Sequence, residues 1–560
     1  MAVSRRLPKS RLDARFVNHT ETLAIDAPSP LHSDTVERGR TLGRSLARLL
    51  VVLLPLSLIP LYFAIRLAVG PYFLSGNADP DYAYLCNSLN LALGHAPRHF
   101  DHPGTPVQLL GALVIRFGYS GQDAAQTAVN VLQDGEAVLE RLNLVLFGGL
   151  FLALLLGSAL VHGRSGPWAS ALCLPAVWLL LGANLPCLVR ANPEPALLAI
   201  CFLLGLAIYL YRDAKTTPWS FVVLSALLCG TGLATKLTFL PFALLPLFVI
   251  RGWRARAAFA GLLVLVVALW LMPIWGSLGR LFSWTSALAS RQGRYGSGPT
   301  GWMNWSSLGS NWAYLFGNNL AFVTLLIASV SAAVWIAVLR RDRSEAEKKA
   351  ARLLLVVSLF QLCQFAMIGK YHESRYLVPS IGLAPLNLLL LRMLFQHPSA
   401  RRWVVSGLAL LLGVAAWESS ASLLRLRAAT VNSVAVAGRA STDSKGTTRV
   451  LCYGSSSPYY ALYFGNGFAG GVYGELLQQM YGQDERVFFY NNFQKCYQTF
   501  AARVTLDQIL SQPGPVVYQS PPFGTGDRIY AWPEGVKLRE IFGGPAEKIY
   551  QVEKQASAGL

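Results

Sequence analysis

Charge is scarce in this chain. Asp, Glu, Lys and Arg make up 14% of its 560 residues and 53% are hydrophobic, against roughly 25% charged in an ordinary globular protein. So little polar side chain cannot coat a soluble surface of that size, and the several soluble domains suggested by length alone are excluded. Lipid must be the solvent, as the positive mean hydropathy of +0.40 agrees. A CxxC pair is missing, which removes a zinc ribbon and a dithiol redox site. Cys173, Cys187, Cys201, Cys229 and Cys363 lie in or beside apolar runs and read as small packing residues. No glycine-rich nucleotide cradle follows a strand, and no internal repeat or low-complexity tract occurs. Acid is scarcer than base, at 29 against 48, giving a net charge of +19. In a soluble protein that balance suits nucleic acid. Here the cations cluster in short breaks between apolar runs, so they are topology signals and no nucleic-acid partner is expected.

What is abundant is the long apolar run. A spanning helix needs about 20 mostly apolar residues, and runs near 49–69, 142–161, 167–186, 195–211, 218–234, 237–250, 257–277, 316–339, 352–369, 377–395 and 403–420 qualify. They predict a polytopic α-helical membrane protein of about eleven transmembrane helices. The polar, Arg-rich residues 1–48 lack a convincing cleavage site, so they read as a cytoplasmic basic tail before an uncleaved first helix. Lys and Arg then test the map. Segments expected inside (1–48, 162–166, 211–217, 251–256, 340–352 and 392–402) hold 24 of them, and the longer outside loops before 420 hold 10. An odd span number places residues 421–560 outside. That region alternates like strands at 448–453, 486–490, 516–518 and 548–552 between Gly, Pro and Ser breaks. It is expected to be a small periplasmic α/β domain, with a Cys452–Cys496 disulfide plausible in an oxidising compartment. The first outside loop, 70–141, carries helix-like stretches at 82–93 and 107–117.

Unusual polar residues gather on the outside. They are Asn77-Ala78-Asp79-Pro80-Asp81-Tyr82, Asp101-His102-Pro103, Arg190-Ala191-Asn192-Pro193-Glu194, Lys236, and Lys370-Tyr371-His372-Glu373-Ser374-Arg375-Tyr376. Ionisable groups at membrane depth are costly unless they pair or line a wet cavity. Lys236, flanked by Leu233 and Leu237, needs an anionic partner unless it snorkels to the headgroups. Arg190, His372 and Arg375 on the same side suit a phosphate-bearing substrate, gripped through its oxygens. Asp79 and Asp81 supply a possible general base; equally, Asp79-Pro80-Asp81 suits an N-cap and turn.

These stretches resemble the membrane-embedded glycosyltransferases of the C superfamily. The similarity is to the bacterial branch related to protein O-mannosyltransferases, aminoarabinose transferases and lipopolysaccharide-core galacturonosyltransferases. It rests on Asp79-Pro80-Asp81-Tyr82-Ala83-Tyr84, Asp101-His102-Pro103-Gly104-Thr105-Pro106, Gly232-Leu233-Ala234-Thr235-Lys236 and His372-Glu373-Ser374-Arg375-Tyr376-Leu377-Val378-Pro379. It covers roughly residues 45–395. The resemblance implies transfer of a sugar from a polyprenyl-phosphate carrier to a periplasmic glycan, lipid or protein, at a bacterial inner membrane. It also implies no cofactor, since the lipid-linked sugar is a substrate. The family's general base maps to Asp81 or Asp79, with Ala83 and Tyr84 favouring Asp81. Donor-phosphate contacts map to Lys236 and Arg375, with His372 and Arg190 beside them, and Tyr82, Asp101, His102 and Glu194 complete the substrate loops. Two departures stand out. Pro80 separates acids that are commonly adjacent, and Gly104-Thr105 replaces the second proline of the usual turn. The C-terminal domain would help bind or exclude acceptors.

Two further groups carry weaker chemistry. His95, His99 and His102 near Asp101 lack a recognised zinc spacing, so no metal site is expected. Trp284, Trp302, Trp305 and Trp312, with Arg291 and Arg294, suit an interfacial aromatic belt or sugar stacking. The rival function is a transporter or flippase of lipid-linked glycans. Such proteins place charges near the bilayer midplane on repeated, broken helices, and this sequence lacks the repeat. A non-catalytic assembly protein is a third reading, which would make the junction charges dispensable.

Overall fold

Apolar runs of this length bury their own backbone polar groups only as helices, and helices dominate the chain. The computed structural model describes residues 51–553 and positions 45 and 49, apart from 52, 75–77, 102, 167–175, 340–342, 371–372, 396–397, 443–445, 483–485, 493 and 524–531. At 78–79, 165, 294, 338–339, 398–405 and 441–442 it describes the backbone alone. The chain divides into units Met1–Leu49 and Leu50–Leu560. The first, expected as the basic tail, lies almost wholly outside the described residues.

In chain order the helices of the second unit are α1 (Leu58–Val69), α2 (Ala78–Ala92), α3 (Thr105–Gly118), α4 (Ala124–Gln133), α5 (Gly135–Ser165) and α6 (Ala176–Leu179). A 3-10 segment, Gly182–Val189, precedes α7 (Pro193–Tyr211), α8 (Trp219–Thr235), α9 (Leu240–Val249), α10 (Trp253–Leu271), α11 (Leu278–Ser290) and α12 (Trp305–Gly317). Then come α13 (Leu320–Val334), α14 (Glu345–Ile368), a 3-10 turn Ser374–Leu377, α15 (Val378–Gly382), α16 (Ala384–Leu394) and α17 (Pro398–Thr442).

By length and composition six helices among the described residues could cross a bilayer, or seven if the pair Ser374–Gly382 and Ala384–Leu394, bent by 46°, is one span. Leu53–Val69, Trp219–Thr235 and Leu237–Val249 are apolar but shorter. Among the described residues, helices of full spanning length thus do not confirm the count of eleven. Lys236 is extended (φ −161°, ψ 134°) and cuts 218–250 into two short pieces. The run 167–186 lies partly outside the described residues, and its described end winds into the 3-10 segment around Pro186. Leu67, Phe117, Leu152, Trp253, Val264 and Phe282 are exposed on the helical surface, as side chains solvated by lipid must be.

α17 has 45 residues, about 68 Å at 1.5 Å per residue, so much of it projects beyond a hydrocarbon core of about 30 Å. The C-terminal region expected to start at 421 thus begins inside a continuous helix. α17 runs to a seven-stranded sheet and touches two of its strands. The strands are β1 (Thr448–Leu451), β2 (Val487–Asn491), β3 (Cys496–Gln498), β4 (Arg503–Val504), β5 (Val516–Ser520), β6 (Leu538–Gly543) and β7 (Lys548–Val552), in the order β4-β3-β2-β1-β5-β7-β6. β1 is parallel to β2 and β5, and the other pairings are antiparallel. α18 (Pro458–Phe468) and α19 (Gly474–Tyr481) lie between β1 and β2 in the chain, and α20 (Leu506–Leu510) precedes β5. The expected Cys452–Cys496 disulfide is absent: both cysteines are free. β2 separates the strands that carry them, and two strand spacings of about 4.8 Å exceed the reach of a disulfide.

Candidate functional site

Asp81 lies in the first turn of α2, where a carboxylate is favoured by the helix dipole and Pro80 has no hydrogen bond to lose. Its side chain is fully buried. Arg190 leaves the Gly182–Val189 segment in an extended conformation, and its Nε donates to Asp81 Oδ2 at 2.8 Å. The Arg190 carbonyl accepts from Asn143 Nδ2 at 3.0 Å. Asn143 Oδ1 in turn accepts from the Tyr62 hydroxyl. The guanidinium is thus set by its main chain as well as by its partner.

The second pair is deeper. Asn192 caps α7, its side chain accepting from the Glu194 backbone N–H, and Pro193 occupies the first helical position. Glu194 therefore sits in the first turn, 1% exposed, and pairs with Lys236, 3% exposed. Burial at this level excludes snorkelling. Lys236 has its required anion within the protein. Its Nζ also lies 4.3 Å from the centre of the Tyr376 ring, with the Arg375 guanidinium 5.8 Å from the same ring. Arg375 is close enough to act electrostatically on both Glu194 and Lys236. Cys187 lies within the same electrostatic reach of Arg190, Glu194, Lys236 and Arg375, which ties the two pairs into one neighbourhood. Among the described residues the two ion pairs balance and Arg375 adds a further cation, with Glu373 acting on the same Tyr376 ring.

The sequence left the partners of these groups open; the structure sets Asp81 against Arg190, and Lys236 against Glu194. Arg190 was expected on the donor phosphate and Glu194 in a substrate loop. Tyr82 is buried, and its hydroxyl donates to Glu136 Oε1 at 2.9 Å, so it pegs α2 to α5. It also borders a cavity of about 570 Å³ with Glu136 and Arg449. Asp101 lies in the returning bend, half-buried, and forms no ion pair among the described residues. The side chain of Asp79, and all of His102 and His372, lie outside the described residues. The departure at Gly104 has a steric cause: its φ is +67°, and an added Cβ would stand 2.6 Å from the Tyr84 hydroxyl.

Four supporting residues went unread in the sequence. Glu136 accepts from the backbone N–H of Tyr72 and Phe73 at 2.8 and 2.9 Å, and Glu140 pairs with Arg66 at 2.7 Å. Glu136, Glu140 and Asn143 fall at one helical face, a spacing that would have revealed α5 starting before 142. Gln364 Nε2 donates to the Thr238 carbonyl at 3.0 Å and to the Tyr376 carbonyl at 2.9 Å. It binds the segment after Lys236 to the turn that bears Arg375. Asn319 Nδ2 donates to Ser374 Oγ at 2.8 Å in that turn.

Residues 138–366 match glycosyltransferase family 87, a stretch that contains Arg190, Glu194, Lys236 and Gln364 and leaves out Asp81 and Arg375. The match bears out the resemblance to C-superfamily membrane glycosyltransferases. No curated relative matches the sequence. Two solved structures do. The crystal structure of ArnT from Cupriavidus metallidurans in the apo state is 11% identical, with a TM-score of 0.47 over 89% of this chain and 97% of that one. The same protein bound to undecaprenyl phosphate is 11% identical, with a TM-score of 0.43 over 88% and 98% of the two chains.

Proposed function

We propose that this chain is a membrane glycosyltransferase that moves a sugar from a polyprenyl-phosphate carrier to an acceptor at the outer face of a bacterial inner membrane. The observation that carries the reading is the buried neighbourhood of Asp81–Arg190 and Glu194–Lys236 with Arg375, lying in and beside the segment similar to a glycosyltransferase family. The carrier phosphate meets Arg375 and Lys236. The acceptor hydroxyl gives its proton to the Asp81 carboxylate as its oxygen bonds to the anomeric carbon. The bond from that carbon to the phosphate oxygen breaks, and the polyprenyl phosphate leaves with the charge that the cations stabilise. Arg190 holds the carboxylate in place. The N-terminal tail is cytoplasmic, and residues 421–560 are periplasmic, following the Lys and Arg asymmetry.

The test is release of polyprenyl phosphate, followed by mass spectrometry. The purified, reconstituted chain is offered a panel of polyprenyl-phosphate monosaccharides with an envelope extract as acceptor. Asp81→Asn is expected to slow release at least ~100-fold while inserting normally. Wild-type rates in both Asp81→Asn and Asp79→Asn would refute the base assignment. A flippase would move the carrier without releasing it.

A further inference from the structure

The C-terminal region contains a second cavity, of about 470 Å³, which the transfer chemistry does not use. It opens outside the carboxyl ends of the parallel strands β1 and β2. Tyr453 follows β1, Asn491 ends β2 and Asn492 follows it, while α18 supplies Tyr463 and Phe464 and β3 supplies Gln498. Its lining combines aromatic rings with carboxamides and holds no charged side chain among the described residues, in a chain of net charge +19. That chemistry selects. Without a cation it offers a phosphate nothing, and without a carboxylate it offers an amine little. Its amides are already oriented by bonds within the protein, Asn492 Oδ1 accepting from the Tyr453 N–H and Gln498 Oε1 from the Tyr463 hydroxyl, so a ligand meets their remaining donors and acceptors in fixed positions.

A neutral sugar satisfies both halves of the wall. The C–H face of a pyranose packs on rings, and its hydroxyls each donate and accept, as Asn and Gln side chains do. The rings are held ready. Tyr463 stacks on Phe489 at 4.1 Å and 5°, its hydroxyl bonded to Gln498 at 2.5 Å, and Tyr453 meets Phe464 edge-on at 6.1 Å. The volume falls within the ~300–1,000 Å³ of small-molecule sites.

Position connects this cavity to the chemistry. α18 packs its other side directly on α2, the helix of Asp81. Contact is so close that a Cβ on Gly465 would stand 2.5 Å from the Tyr82 carbonyl. Asn87 of α2 donates to the Phe468 carbonyl at 3.3 Å. One helix thus forms a wall of the cavity and a support for the candidate base.

We propose that this cavity binds a neutral saccharide and that, given the transfer reaction proposed above, the saccharide is part of the acceptor glycan. Gly467 provides the test, because it lines the cavity and a Cβ there meets nothing within 4 Å. A side chain can therefore start from Gly467 without meeting a neighbour at Cβ, and Gly467→Trp places a bulky ring at the cavity wall. The full chain in nanodiscs is titrated by saturation-transfer NMR with short gluco-, galacto- and manno-oligosaccharides, and with an oligogalacturonide as the anionic control. At least one neutral oligosaccharide is expected to bind, with affinity lowered ~10-fold or more by Gly467→Trp and by Asn492→Ala, and undecaprenyl phosphate binding unchanged in both. Absence of neutral binding, binding of the anionic control alone, or wild-type affinity in both variants overturns the proposal. Saccharide binding in a chain that never releases polyprenyl phosphate keeps the site and overturns its role as the acceptor site, whereas release without saccharide binding sinks the site and leaves the transfer reaction standing.

Discussion

A buried ammonium beside a buried carboxylate is tolerable only while both are present. Removing one member of such a pair costs about 3–5 kcal/mol, because the other charge is left unpaired in a poor solvent. Lys236→Met is therefore expected to lower the stability of the purified chain by that order, with Glu194→Met alone doing the same. The double replacement should recover most of the loss in thermal unfolding and yet fail to release polyprenyl phosphate. Recovery of activity along with stability would make the pair a structural peg. Glu547 presents a different balance. It is buried beside the Ser456 backbone N–H and Gln519 Nε2, at 2.7 and 2.8 Å, and burial pushes its carboxyl up to about 7. The folded chain thus holds this proton when the unfolded chain, with an ordinary carboxyl near 4.5, has released it. The stability contributed is fully present below about 4.5 and is lost as pH rises through 7. The gap in melting temperature between Glu547→Gln and wild type should accordingly favour the variant more at pH 8 than at pH 5. A gap independent of pH contradicts this.

Elements set these residues in place, and the sequence revealed them unevenly. The apolar runs and the strands at 448–451, 487–491, 516–520 and 548–552 were legible because alternation and run length are local properties. β3, β4 and β6 were not: β3 and β4 have only three and two residues, and β6 is an edge strand exposed along nearly all its length, so none carries a clear alternation. The start of α5 was hidden because Glu136, Glu140 and their neighbours read as a polar loop, whereas tertiary pairing with Tyr72 and Arg66 makes them a helix face. The site's charges were visible individually, from their isolation among apolar residues. Their pairing was not, because Asp81 and Arg190 are 109 positions apart and Lys236 and Glu194 are 42 apart. Gln364 is the positioning residue that no local pattern marks. Gln364→Leu releases two carbonyls and should raise the KM for the carrier more than it lowers kcat, at a stability cost of about 1–3 kcal/mol. Equal loss in both parameters would point to direct contact with the reacting atoms.

At the scale of the whole molecule, the proposed transfer requires the site and the sheet on one side of the bilayer. α17 makes this concrete: it leaves the helical part and runs unbroken to the sheet, so the strands lie where its C-terminal end emerges. The Lys and Arg asymmetry predicts that end outside. In a cysteine-free background, Lys495→Cys is expected to react with an impermeant maleimide in cells with a permeable outer membrane, and Lys349→Cys only after lysis. Both lysines are well exposed, at 64% and 41%, so protection of position 495 would reverse the topology. The central claim is that cations from separate stretches of chain hold the carrier phosphate while Asp81 serves the acceptor. Native mass spectrometry of undecaprenyl phosphate bound to the purified chain tests it most directly. Wild type and Asp81→Asn should retain the lipid and Arg375→Gln should lose most of it; retention by Arg375→Gln at the wild-type level would contradict the account.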